Sequence, residues 1–310
     1  MFDPRDYQLP NNCIEYTQSP QTLVFDDFVR VYFSTRERDE KTGKFFSHIA
    51  FAEFERDFSK LIRVSDKTVI PLGELGTFDE HGIFPINLLR DNGKVLAYTC
   101  GWSRRVSVPV ETSTGLAISE DDGLTFTRLG KGPIMSSSVD EPFLVGDSFV
   151  LKFGDVYHMW YMYGQRWIDN PFEETARVYK VGQATSNDGI SWTRDNRQII
   201  EDKLNVDECQ ALPTVIESGG VYHMFFCYRQ AIGFRQDKTK AYRIGYAYSH
   251  DLSNWTRDDD NVGIDVSVDG WDSDMMCYPH VFAVGDRIYL LYNGNEFGRY
   301  GFGLAVLEET

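Results

Sequence analysis

The chain has 310 residues, 15% of them aromatic, and a formal net charge of −16. That length allows a large buried core, and an acidic sequence with no basic stripe excludes nucleic acid and anionic membranes as partners of the whole surface. The cysteines Cys13, Cys100, Cys209, Cys227 and Cys277 form no C-x-x-C pair, which speaks against a structural zinc site and suits a reducing compartment. The N-terminus has no apolar leader-like run and no stretch reaches transmembrane length, so the expectation is a cytoplasmic protein.

Along the chain, an apolar strand is expected after each of Pro20, Pro85, Pro142, Pro213 and Pro279. Each is followed by an aromatic-rich strand: Val29–Ser34, Val95–Thr99, Val156–Tyr163, Val221–Tyr228 and Arg287–Tyr292. Third strands follow, as at Gly182–Thr185 and Ile244–Ser249. Three of them run into one repeated phrase at 115–128, 182–194 and 245–257: an Ala-x-Ser strand end, an Asp-containing turn, then Phe126, Trp192 or Trp255 before Thr-Arg. Ser and Asp bond their own backbone in such a turn and Gly supplies φ > 0. The first unit is degenerate here, with Glu53–Phe58 in place of the phrase. A period of about 65 residues, built of short strands, is the size of one propeller blade. The five registers predict an all-β, five-bladed β-propeller, with four-stranded antiparallel blades around a central channel and one domain over 1–310. The last unit lacks a clear fourth strand, and Phe2–Tyr7 is expected to supply it and hide the open edge.

Antiparallel order puts the start of each first strand and the end of each second strand on one rim of the channel. Chemistry is expected there, with the repeated turns on the opposite rim. Five residues before each proline stand Glu15, Glu80, Ser137, Glu208 and Asp274, and the third unit adds Asp140 and Glu141 beside Pro142. Every blade thus offers a carboxylate to one expected ring. The second-strand ends add Arg36, Trp102, Arg166, Arg229 and Asn293. Arginine forks match carboxylates, phosphates and sugar hydroxyls, and tryptophan faces stack on sugar rings. The segments Gly101–Thr114, Gln165–Lys180 and Gln230–Arg243 read as long loops that build a pocket. His81 is a candidate acid/base or substrate donor. His280, after the fifth proline, is placed to face the channel, where a structural cation is a secondary expectation; no other cofactor is expected.

The five registers, the repeated Ala-x-Ser-x-Asp-Gly-x-x-Trp phrase and the placement of acids together resemble the five-bladed β-propeller glycosidases. These comprise the arabinanase/xylosidase type, the invertase type and the related mannoside phosphorylases. Ser119–Phe126 also fits the spacing of sialidase Asp boxes, but those propellers have six blades. The resemblance implies cleavage of a glycosidic bond by carboxylates from blades one, two or three, and four. Asp207-Glu208-Cys209 is similar to the invertase-type Glu-Cys pair, which makes Glu208 the implied general acid. Val139-Asp140-Glu141-Pro142 is similar to the arabinanase-type blade-three Asp before proline, with one residue inserted. Where that family carries an Asp before the blade-one proline, this chain has Ser19-Pro20. The base role then falls to Glu15, or to Asp79 or Glu80, or ordinary hydrolysis is lost. Three functions follow: hydrolysis between paired carboxylates, phosphorolysis with phosphate held by the rim arginines and His81, or carbohydrate binding without catalysis. The expected partner in each is a carbohydrate, and Arg36, Arg166 and Arg229 would suit an anionic one.

Overall fold

The computed structural model describes residues 2–308. Blade 1 holds β1 (Glu15–Val24), β2 (Phe28–Arg38), β3 (Phe45–Glu55) and β4 (Leu61–Val64). Blade 2 holds β5 (Ile83–Asp91), β6 (Lys94–Arg104), β7 (Val110–Ser119) and β8 (Thr127–Arg128). Blade 3 holds β9 (Val145–Phe153), β10 (Val156–Asn170), β11 (Glu173–Ser186) and β12 (Thr193–Arg194). Blade 4 holds β13 (Glu208–Ser218), β14 (Val221–Gln230), β15 (Arg243–Ser249) and β16 (Thr256–Arg257), and blade 5 holds β17 (Cys277–Val284), β18 (Arg287–Asn293) and β19 (Phe302–Val306). The first strand of each blade lies innermost, and these five strands pack in a ring, β1 on β5, β5 on β9, β9 on β13, β13 on β17 and β17 back on β1. This is the five-bladed propeller that the repeat predicts.

A blade is buried on both faces, so its middle strands read as almost continuous apolar runs. Alternate residues of a strand point to opposite faces. In β2, Val29, Val31 and Phe33 pack toward blade 5, while Tyr32 packs toward blade 2. The aromatic after each repeated turn enters the interface with the preceding blade: Phe126 meets Tyr32, Trp192 meets Tyr98 and Trp255 meets Trp160, with ring centroids 6.2, 6.0 and 5.9 Å apart. The turns are locked internally, Ser119 Oγ donating to Asp121 at 2.6 Å and accepting from Gly123 N at 2.8 Å. Two of the three segments expected as loops are instead strand extensions, β6–β7 and β10–β11 meeting in narrow hairpins. Their β-branched and aromatic residues pair across the ladder rather than looping out. The third, between β14 and β15, is irregular with one 3-10 turn at Lys238–Lys240.

The repeated Thr-Arg has a structural task. In blades 2, 3 and 4 this outer arginine reaches across its own blade to the carboxylate that precedes the inner strand: Arg128 to Asp79, Arg194 to Glu141 and Arg257 to Glu208, each at 2.6 Å. The three acids are 1%, 2% and 0% exposed. The expected ring of acids around the channel is therefore corrected: two of its members, Glu141 and Glu208, are held inside their blades by arginine, as is Asp79 beside Glu80.

The ring closes as expected, in reduced form. Among the described residues, Phe2 takes the fourth-strand place of blade 5 as a single antiparallel bridge, exchanging hydrogen bonds with Phe302 at 3.0 and 3.2 Å. The chain then turns into a 3-10 helix at Pro4–Asp6. A Cβ on Gly301 would lie 1.8 Å from the Phe2 carbonyl oxygen, so the closure needs glycine there. Asn293, fully buried, stitches the seam by accepting from Ser19 N at 2.7 Å and donating to the carbonyls of Thr17 and Gly301 at 2.8 and 2.7 Å.

Phe2→Ala removes the closing ring from contact with Phe302, Phe33 and Phe54 and is expected to lower unfolding free energy by about 3 kcal/mol in urea titration. Arg257→Met leaves Glu208 buried without its cation and is expected to cost about 3–5 kcal/mol, most of it recovered by pairing it with Glu208→Gln. Additive losses in that pair would show that the clamp is not what holds Glu208.

Candidate functional site

The inner strands bend where they reach the channel rim. Their ladders to the second strands slip between Gln18 and Gln21, Ile83 and Ile86, Ala211 and Thr214, and Cys277 and His280, each time at an X-Pro pair. The residue before proline takes φ of 52° at Ser19, 50° at Leu212 and 58° at Tyr278. In blade 3 the slip lies between Gly146 and Phe149, and Asp147 takes φ of 51°. The blade-three counterpart of the X-Pro pair is thus Asp147-Ser148, which corrects the placement at Asp140, Glu141 and Pro142. Pro142 lies ahead of β9 altogether. The five equivalent positions are Ser19, Phe84, Asp147, Leu212 and Tyr278, so one carboxylate stands at this level. Asp147 is buried. Loss of water pushes its carboxyl up to about 7, although the nearby Arg177 guanidinium and a hydrogen bond with Cys100 pull the other way.

Above this level lies a pocket of about 780 Å³ to which all five blades contribute. Phe84 and Tyr278 stack edge to face at its floor, with centroids 5.3 Å apart. Its walls carry Arg36, Lys44, Arg104, Arg105, Arg177, Arg229 and Arg235, and among the described residues no Asp or Glu side chain lines it. Elsewhere most arginines have carboxylate partners. Arg105 and Arg235 keep theirs in Glu111 and Glu173, but Arg36, Arg104, Arg177 and Arg229 form no salt bridge among the described residues. Arg36 is held by neutral partners, donating to Gln18 Oε1 at 2.5 and 3.0 Å and to Ser47 Oγ. Ser47 also accepts from Trp102 Nε1 at 2.9 Å.

Arg229 is 3% exposed and sits in an aromatic box, its guanidinium carbon 3.7 Å from the Phe234 ring centre and 5.3 and 5.2 Å from those of Tyr179 and Tyr242. It donates to Tyr179 Oη at 2.9 Å and to two backbone carbonyls, while its Nε–H has no partner. The Tyr179 and Tyr242 hydroxyls touch each other. Burial pushes the Tyr179 phenol up to about 12 and Tyr242 well above its ordinary value, so both keep their protons. The pair can use only one proton between them, because the arginine also only donates. The other phenolic O–H is left for a pocket occupant. A buried guanidinium without a counter-charge is costly; Arg229 is buried and Arg36, Arg104 and Arg177 are half-buried around the same cavity.

Of the residues singled out from sequence, the pocket brings together Arg36, Trp102 and Arg229. His81 and Glu80 stand just outside it. His81 lies beside Trp102 with ring centroids 5.5 Å apart and planes tilted by 31°, its Nδ1 lies 3.4 Å from Glu80, and burial together with Arg104 lowers its pKa. Glu15 is paired with Arg299 at 3.0 Å on the blade 1–blade 5 rim, and Arg166 with Asp207 at 2.5 Å. Asp140 and Asp274 are exposed, and Asn293 belongs to the seam. Glu208 lies outside the pocket. Besides Arg257 it accepts from Lys203 N and Leu204 N at 2.9 and 2.8 Å and from Gln210 at 2.9 Å, which fills its oxygens. Glu141 is likewise held by Tyr161 Oη at 2.7 Å. His280 Nε2 accepts from Thr22 N at 3.1 Å in the channel, and burial drives its pKa down to about 3, so it stays neutral.

Sequence reading missed Asp147, Arg177 and Tyr242. Arg177 hid in a segment read as a loop. Asp147 was masked because Ser148 replaces the proline that marks the other blades.

No protein-family model matches the chain. Among solved structures it resembles a glycoside hydrolase (TM-score 0.73, 18% identity, 98% of this chain and 90% of that one) and a thermostable family-43 glycoside hydrolase (0.70, 14%, 98% and 94%). It also resembles a member of the GH130 family of mannoside phosphorylases, described as containing glycoside hydrolases that target β-1,2 mannosidic linkages in Candida mannan (0.68, 14%, 95% and 85%). At these identities the likeness establishes the fold. In sequence, the chain is 33% identical over 306 residues to the uncharacterized Mycobacterium tuberculosis proteins MT1551 and Rv1502, covering 96% of each chain. The chain therefore belongs to the family of these mycobacterial proteins, and its fold is that of the five-bladed β-propeller glycosidases.

Proposed function

We propose that this protein cleaves a glycosidic bond by phosphorolysis, with inorganic phosphate held by the pocket arginines and Asp147 as the proton donor. The observation that carries the reading is the set of unpaired guanidinium groups around a cavity without a lining carboxylate. Hydrolysis by the two-carboxylate route needs an acid and a second carboxylate beside the sugar. Phosphorolysis needs one acid and a seat for phosphate, and bidentate arginine is well suited to phosphate oxygens.

In this scheme a phosphate oxygen attacks the anomeric carbon as the bond to the leaving oxygen breaks. Asp147 is not among the lining residues, so its proton passes to that oxygen through one bridging water, and the new carboxylate is stabilised by Arg177. The products are a sugar phosphate and the released alcohol, and Asp147 regains its proton from solvent. A carboxyl held near neutrality is poised for this role. Phe84 and Tyr278 offer apolar faces for the sugar ring. Glu208, Glu141, Glu80 and Glu15 act in this reading through structure alone.

Turnover of a glycoside panel is expected to require phosphate and to fall as pH rises through about 7, because the donor must be protonated. Asp147→Asn should abolish turnover in a folded protein. Glu208→Gln should retain it per folded molecule while lowering stability. Turnover that is indifferent to phosphate, or lost in Glu208→Gln at full folding, would return the assignment to hydrolysis with Glu208 as acid.

A further inference from the structure

The four pocket arginines without a salt bridge fall into two groups. Arg36 and Arg104 come from blades 1 and 2, Arg177 and Arg229 from blades 3 and 4. Between Arg36 and Arg229 runs a row of aromatic rings. The Arg36 guanidinium carbon lies 5.5 Å from the Phe84 ring centre, Phe84 5.3 Å from Tyr278, Tyr278 5.8 Å from Tyr242, and Tyr242 5.2 Å from the Arg229 guanidinium carbon. Three rings stand in the row between the two ends, and the two arginines share no hydrogen-bond partner. Each end has an unpaired guanidinium of its own, and Arg229, nearly fully buried, keeps an Nε–H with no partner. The Arg229 end is the one beside Arg177, and so beside Asp147.

From this we infer that the pocket contains two anion subsites across an aromatic floor, and that its full occupant is negatively charged at both ends. Resting on the phosphorolysis reading, the Arg177–Arg229 end takes inorganic phosphate and the Arg36–Arg104 end takes a phosphate or carboxylate carried by the glycoside. The rings between them accept an uncharged sugar face. A single sugar carrying two phosphates presents the same chemistry from one molecule.

Calorimetric titration separates these cases, using inorganic phosphate, glucose 6-phosphate and glucose 1,6-bisphosphate on the intact protein. The expected result is that phosphate and glucose 6-phosphate bind together without weakening one another. Arg36→Met and Arg104→Met should each weaken glucose 6-phosphate about tenfold or more and spare phosphate, while Arg229→Met and Arg177→Met should do the reverse. Two variants at each end guard against one that fails to fold, and an Arg-to-Met change breaks no salt bridge at any of the four positions. If instead the bisphosphate excludes both smaller ligands and binds about tenfold or more tighter than glucose 6-phosphate, the two subsites are bridged by one molecule. Competition between phosphate and glucose 6-phosphate, with a bisphosphate no tighter than the monophosphate, overturns the inference and leaves phosphorolysis standing. Two independent subsites with turnover indifferent to phosphate would overturn phosphorolysis and leave the subsites. Binding of none of the three overturns both.

Discussion

The arrangement rests on where each arginine finds its counter-charge. In blades 2, 3 and 4 the outer Thr-Arg spends its guanidinium on a buried acid at the head of the inner strand. That contact ties the outermost strand to the innermost across the whole blade, in a protein whose outer strands there are only two residues long. It also removes Asp79, Glu141 and Glu208 from the rim chemistry. With those acids neutralised inside the blades, Arg36, Arg104, Arg177 and Arg229 are left without a salt bridge among the described residues. The stability device and the cationic pocket are thus two sides of one charge distribution: the sequence has enough acids, but they sit a layer away from the pocket.

The propeller was readable because its signals are local. The Ser-x-Asp turn, the aromatic that follows it and the Thr-Arg after that all act within a few residues or on the next blade, so the pattern repeats whenever a blade repeats. Closure through Phe2 was readable because an open edge has to be covered. The chemistry was less readable. A carboxylate five residues before a proline looks the same in sequence whether it faces the channel or its own blade. The difference lies in an arginine some fifty residues later, and the value of that arginine emerges only when the sheet is assembled. Trp102 and Arg36 were found because they end strands that point at the rim. Asp147 was not, since the backbone there does with Ser148 what the other blades do with proline: an L-residue at positive φ and a slipped ladder, without the residue that advertises them.

The fold is shared with enzymes that cleave glycosides, and a fold alone does not carry a reaction. At the level where the inner strands bend, four of the five equivalent side chains are a serine, a leucine and two aromatic residues. What is left is a neutral, ring-lined floor with one titratable carboxyl beneath it and guanidinium groups around it. Such a surface favours a ligand that brings its own negative charge, where a site lined by acids would favour a neutral sugar.

The aromatic box around Arg229 sets limits on what that ligand can do to the protein. Its guanidinium is fixed on three sides by rings and on a fourth by backbone carbonyls, so it has little rotamer freedom left to lose. Outside, the chain carries a net charge of −16, which at cellular salt is screened within about 8 Å. An anion bound as proposed would leave that acidic field near the rim and meet a guanidinium already held in place by its rings and carbonyls.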